Sequence, residues 1–125
     1  MLTSCVPSWT LRMAAGSLQQ WTLTLTSDDD GIVIPYPVAG ATWEYVASAT
    51  VTGPQLFTVT PAGSASGVIT VTATDTLSQV LLEIYPAATV SLSGTYAHAL
   101  WMNPGTTSAL AVAEGPLQVA EIPQP

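Results

Sequence analysis

The stretch "QWTLTLTS" places Trp21, Leu23 and Leu25 at every second position, with Gln20, Thr22, Thr24 and Thr26 between them. Successive side chains of an extended strand point to opposite faces, so this alternation describes a strand with one buried side and one wet side. The same period sets Trp43, Tyr45, Ala47 and Ala49 on one face of "ATWEYVASATV", and it separates Ile69, Val71 and Ala73 from Val68, Thr70, Thr72 and Thr74. "SWTLRM", "GIVIPY", "QLFTVTP", "GTYAHALWM" and "TSALAVAEGPLQVA" are further strand candidates, several of them rich in residues that fit a pleated surface. Turn signals separate them at Ala15-Gly16, Asp30-Gly31, Gly53-Pro54, Gly63 to Gly67, Gly94 and Asn103-Pro104-Gly105. About seven to eight short strands at this spacing predict an all-β chain, an antiparallel β-sandwich. One segment leaves the period. In "DTLSQVLLEIYP", Leu77, Val80, Leu81 and Ile84 recur at i, i+3, i+4 and i+7, Asp75 or Thr76 can cap, and Pro86 follows. That pattern predicts one short crossover helix over about residues 75–84.

A chain of 125 residues is of one-domain size. The expected layout is an N-terminal extension over 1–7, a sandwich domain over 8–120 and a proline-rich tail over 121–125. Only 7 % of the residues are charged, so Thr, Ser, Ala and Gly must form much of the surface. Such a surface packs readily against other subunits. The formal net charge is −7, with Arg12 the sole cation among Lys and Arg. Binding a nucleic-acid backbone needs clustered cations, so that class is excluded, and anionic membrane surfaces are disfavoured for the same reason. No apolar run reaches the roughly 18 residues of a spanning helix, and "MLTSCVPSWTLRM" lacks the layout of a signal peptide; the chain is expected to be soluble and unprocessed. Cys5 is the only cysteine, which removes any intrachain disulfide.

Asp28, Asp29 and Asp30 stand in a row before Gly31. Calcium is the chemical reading of such a triplet, but calcium loops alternate their ligands so that side chains converge, and consecutive extended residues point apart. The alternative is a hairpin tip in which Asp30-Gly31 supplies positive φ. The hairpin is preferred, and no metal or cofactor is expected. His98 is the only histidine and shares a strand face with Tyr96 and Leu100, a place for a packed residue more than for a base. Glu44, Glu83, Glu114 and Glu121 fall on different predicted elements, so no catalytic pair is visible and no enzyme is expected. Trp21 and Trp43 are assigned to the core. Trp101 alternates with Tyr96, His98 and Leu100 and points the other way; with Tyr36 and Trp9 it is a candidate interface anchor.

The order of features resembles a known group. A strand leads to "RMAAGS", then come "QWTLTLTSDDDG", "VAGATWEYVAS", a "GVITVTATDTLSQVL" step, "GTYAHALWM" and a glycine-containing last strand, "ALAVAEGPLQV". Over roughly residues 8 to 120 this resembles the small immunoglobulin-like β-sandwich domains of tailed-bacteriophage virion proteins, found in baseplate, tail-fibre and minor tail proteins. A charged pair that often brackets the early glycine is missing around Gly16. The resemblance implies a non-enzymatic structural virion protein, in the tail or baseplate, packed against other virion proteins in a symmetric multicopy assembly. Its localisation would be the virion, after synthesis in the bacterial cytoplasm. A close variant is a capsid decoration protein with the same fold. The rival is a glycan-binding module at a fibre tip, with Trp101 and Tyr36 as stacking residues. Composition points toward assembly too: no lysine guards the sheet edges, and Glu44, Glu83 and Glu114 are expected to guard them in part.

Overall fold

The computed structural model describes residues 9–125. Cys5 and the extension over 1–7 lie outside the described residues. Among the described residues the chain forms β1 (Leu11–Ala14), β2 (Gln19–Thr24), β3 (Thr26–Asp29), β4 (Ile32–Pro35), β5 (Trp43–Ser48), β6 (Gln55–Val59), β7 (Gly67–Ala73), β8 (Ser78–Ile84), a single helical turn α1 (Pro86–Thr89), β9 (Gly94–Met102) and β10 (Leu110–Ala120). A five-stranded sheet has the order β1-β10-β9-β5-β6, a three-stranded sheet the order β2-β8-β7, and β3 pairs only with β4. The predicted all-β class holds, in a sandwich-like arrangement with more strands than expected. One pairing is parallel, that of β1 with β10, where Leu11 meets Leu117 and Ala14 meets Ala120.

The inner faces of the two larger sheets meet in one core. Leu23, Ile69, Val80, Leu82 and Ile84 come from the three-stranded sheet; Met13, Trp43, Tyr45, Val59, Leu100, Leu117 and Val119 are among those from the five-stranded one. In β5 the period works as predicted, with Trp43, Tyr45 and Ala47 buried and Glu44, Val46 and Ser48 half-buried on the outer side.

The helix expected over 75–84 is instead β8, the central strand of its sheet. Ser78, Val80, Leu82 and Ile84 are buried and Gln79, Leu81 and Glu83 are half-buried, a period of two that the same letters also contain. β8 pairs with β2 on one side and with β7 on the other, so its backbone is satisfied by neighbours on both flanks. A lone amphipathic turn of helix there would have left both of those strands without a partner. Pro86 starts the one helical turn rather than ending a helix.

Two local irregularities shape the surfaces of the molecule. "QWTLTLTS" is not one strand of one sheet: at Leu25 the chain leaves β8, where Leu25 N–H donates to the Ser78 carbonyl, and joins β4 through Tyr36 N–H donating to the Leu25 carbonyl. In β10 a bulge between Ala111 and Ala113 buries Val112 and Ala113 in succession, which turns Glu114 to the outer face opposite Ala99. The tail over 121–125 forms no regular element, and the Gln124 amide donates to the Ala15 carbonyl at 3.0 Å.

Candidate functional site

His98, on β9, lies inside the core at 4 % exposure. Its Nε2 is 2.8 Å from the Trp9 carbonyl, which can only accept, so Nε2 carries the proton. Nδ1 then accepts from the Tyr45 hydroxyl at 2.9 Å. Burial lowers the pKa of the imidazole, opposed by the Trp9 hydrogen bond, and burial pushes the Tyr45 phenol well above its usual range. The Trp9 ring stacks on Trp21 at 4.1 Å and lies tilted against the His98 ring at 4.0 Å. Trp9, expected as an interface anchor, is 5 % exposed and is a core residue, because the chain before β1 crosses β10 close enough for Trp9 N–H to donate to the Glu114 carbonyl. A Cβ at position 115 would run into the Trp9 backbone, so Gly115 permits this crossing. The imidazole is a structural link between strands, with both nitrogens engaged. Among the described residues no three His, Cys, Asp or Glu side chains converge as a metal site would need.

The feature that stands apart from the core is the β3–β4 hairpin. Asp30 at φ 51° and Gly31 at φ 82° form its two-residue turn, and two positive φ values in succession define the type that suits twisted strands. Rungs 26–35 to 29–32 pair these two strands with each other and with neither larger sheet. Asp28 and Asp29 therefore lie on β3 and Asp30 in the turn, the hairpin backbone expected of them. β4 is apolar at three successive positions, Ile32 at 65 %, Val33 at 65 % and Ile34 at 43 % exposure. Both faces of the ribbon are thus apolar on this strand. The edge is less inviting than the faces. Since Tyr36 and Leu25 form a bonded rung, alternate rungs leave Val33 and Pro35 turned outward, and proline brings no N–H to extend a ladder. What the arm offers a neighbour is side chains. Sequence reasoning read "GIVIPY" only as a strand; the missed signal was its unbroken apolar run opposite the polar "TSDD".

The second open surface is the outer face of the five-stranded sheet, a groove of about 1130 Å³. Its floor is Ala97 and Ala99 of β9, flanked by Val46 and by Pro116, with Trp101 at one end. Trp101 is half-buried and points away from the core as predicted, with Glu44 opposite it on β5. Tyr36 lines a different, smaller cavity of about 270 Å³ beside Met102 and Asn103. The structure therefore does not bring Trp101 and Tyr36 into one stacking platform. Nor do Glu44, Glu83 and Glu114 guard edges: they sit on β5, β8 and β10, which all have neighbours on both sides. No helix of the described residues is long and apolar enough to cross a membrane.

No protein-family model and no curated protein matches the chain. Among solved structures, a family 123 glycoside hydrolase from Clostridium perfringens, studied for glycolipid glycan hydrolysis, is similar over 95 % of this chain at a TM-score of 0.45 and 8 % identity. The match spans 24 % of that enzyme's chain, and a likeness at this level carries no argument about activity.

Proposed function

We propose that this chain is a non-enzymatic structural subunit of a tailed-phage virion, in the tail or baseplate, that works by docking onto neighbouring subunits. The capsid surface is the alternative location for the same module. One observation carries the docking role: Ile32, Val33 and Ile34 are exposed to solvent on a two-stranded ribbon that pairs with neither larger sheet. Fully burying such a side chain contributes about 1.5–3 kcal/mol, so three left exposed on one short strand are a standing incentive to bind. A two-stranded ribbon is marginal alone, and a neighbour that covers its faces would also hold it in shape. The virion assignment rests on the order of strands, glycines and aromatic residues along the sequence. The chemistry of the core is consistent with it, since its one histidine is spent on hydrogen bonds to Trp9 and Tyr45.

The test replaces Ile32, Val33 and Ile34 together by serine. These side chains are exposed, so the variant is expected to fold with an unchanged circular dichroism spectrum, and to lose co-sedimentation with the tail fraction of disrupted virions. Serine variants that co-sediment like the parent protein would remove the arm as the docking element. A parent protein that binds neither tail nor capsid fractions would remove the virion reading.

A further inference from the structure

The outer face of the five-stranded sheet carries three charged side chains. Arg12 projects from the edge strand β1 beside Gln118; Glu44 and Glu114 flank the Trp101 end of the groove from β5 and β10. None of the three has an ion-pair partner among the described residues. We propose that this face docks onto the same face of a second copy about a two-fold axis, with Arg12 of each copy laid over Trp101 of the other, between Glu44 and Glu114. This contact rests on the docking role proposed for the chain, names one partner for it, and does not use the arm.

Charge complementarity selects the occupant. The groove's charged groups are two carboxylates with no Lys or Arg, and the half-buried Trp101 indole points to this outer face, whereas the Tyr96 ring packs against the core. A guanidinium suits both, since it stacks on aromatic faces while its N–H fork reaches carboxylates. The chain owns a single guanidinium, and it emerges on this same face. A two-fold contact requires such self-complementarity: if residue i meets residue j, then j meets i. The positions fit that operation. β1 and β9 flank β10, so Arg12 and Trp101 are separated across the sheet by about 10 Å, and the six steps from Thr95 to Trp101 add about 20 Å along the strand. An axis midway between them superimposes each on the other. Between the two lie Ala97, Ala99 and Pro116, whose short side chains let two sheet faces approach. Both copies are acidic, and a screening length of about 8 Å at physiological salt confines that repulsion to near neighbours.

Sedimentation velocity over a concentration series tests this with purified protein. The parent chain is expected to show a reversible monomer–dimer equilibrium. Arg12→Glu and, separately, Glu44→Arg with Glu114→Arg should each be monomeric where the parent dimerises. A dimer loses two contacts at once, so a loss of roughly tenfold per contact compounds to about a hundredfold in dissociation constant. Mixing these two variants restores opposite charges at both contacts, and the mixture should dimerise. Trp101→Ala should weaken the parent dimer without changing its circular dichroism spectrum. A parent chain monomeric at every concentration overturns the proposal, as does a dimer indifferent to Arg12→Glu or a mixture that stays monomeric. Quenching of tryptophan emission by a neutral oligosaccharide, in a parent chain that stays monomeric, would assign the groove to a glycan instead. Self-association lost only in the serine arm variant would keep the arm and discard this face.

Discussion

The tautomer of His98 is fixed by a carbonyl on one side and a hydroxyl on the other, and this makes the core sensitive to mild acid. Protonation would put a second N–H against the Tyr45 hydroxyl, whose own proton would then have no acceptor in a buried site. Burial lowers the folded pKa below the unfolded value of about 6.5. The unfolded chain therefore binds the proton first, and the stability present above pH 6.5 is lost as pH falls from there toward the folded value. Each unit of depression is worth about 1.4 kcal/mol. Urea unfolding at pH 8, 6.5 and 5 is expected to show this loss in the parent chain and a flatter profile over the same range in His98→Gln. At pH 8, Tyr45→Phe should cost about 1–3 kcal/mol, because Nδ1 is left buried without its donor.

At the scale of elements, β8 supplies the decisive comparison. Leu82 is 1 % exposed between the sheets, whereas Leu81 is half-buried on the opposite side. Leu82→Ala is expected to cost about 2–5 kcal/mol in denaturant titration, and Leu81→Ala distinctly less. A helix with Leu81 in its seam would reverse that ranking. The same segment shows where sequence reasoning stops. "WEYVAS" and "GVITVTA" alternate so plainly that only a strand accommodates them, and Asp30-Gly31 names its own turn. "SQVLLEI", with two leucines in succession, satisfies both a period of two and a period near 3.6. Its partners decide between them: β7 lies only four residues upstream, but β2, on the other flank, is more than fifty residues away in sequence. The packing of Trp9 against Trp21 and His98 was illegible for a related reason: it depends on a strand crossing that one glycine permits. Trp101's outward direction was readable from alternation alone, whereas its carboxylate neighbour Glu114 needed a bulge that no local pattern announced.

For the whole molecule, a net charge of −7 opposes association of copies, while the exposed Ile32, Val33 and Ile34 favour it through burial. Acid neutralises the charge and leaves the apolar attraction of the arm in place. On acidification, light scattering from the parent chain is expected to rise, and the serine arm variant should stay clear further down the titration. The topology adds a property of another kind. β1 enters beside β10 and runs parallel to it, so one strand begins where force on the N-terminal side would act, and the other ends where force on the C-terminal side would act. Tension between residues 9 and 121 then slides the two strands along each other and strains the rungs from Leu11–Leu117 to Ala14–Ala120 together, with Trp9 held further back by His98. A chain gripped at those two points resists stretching as a clasp loaded in shear, where an antiparallel pair pulled from its open end would unzip rung by rung.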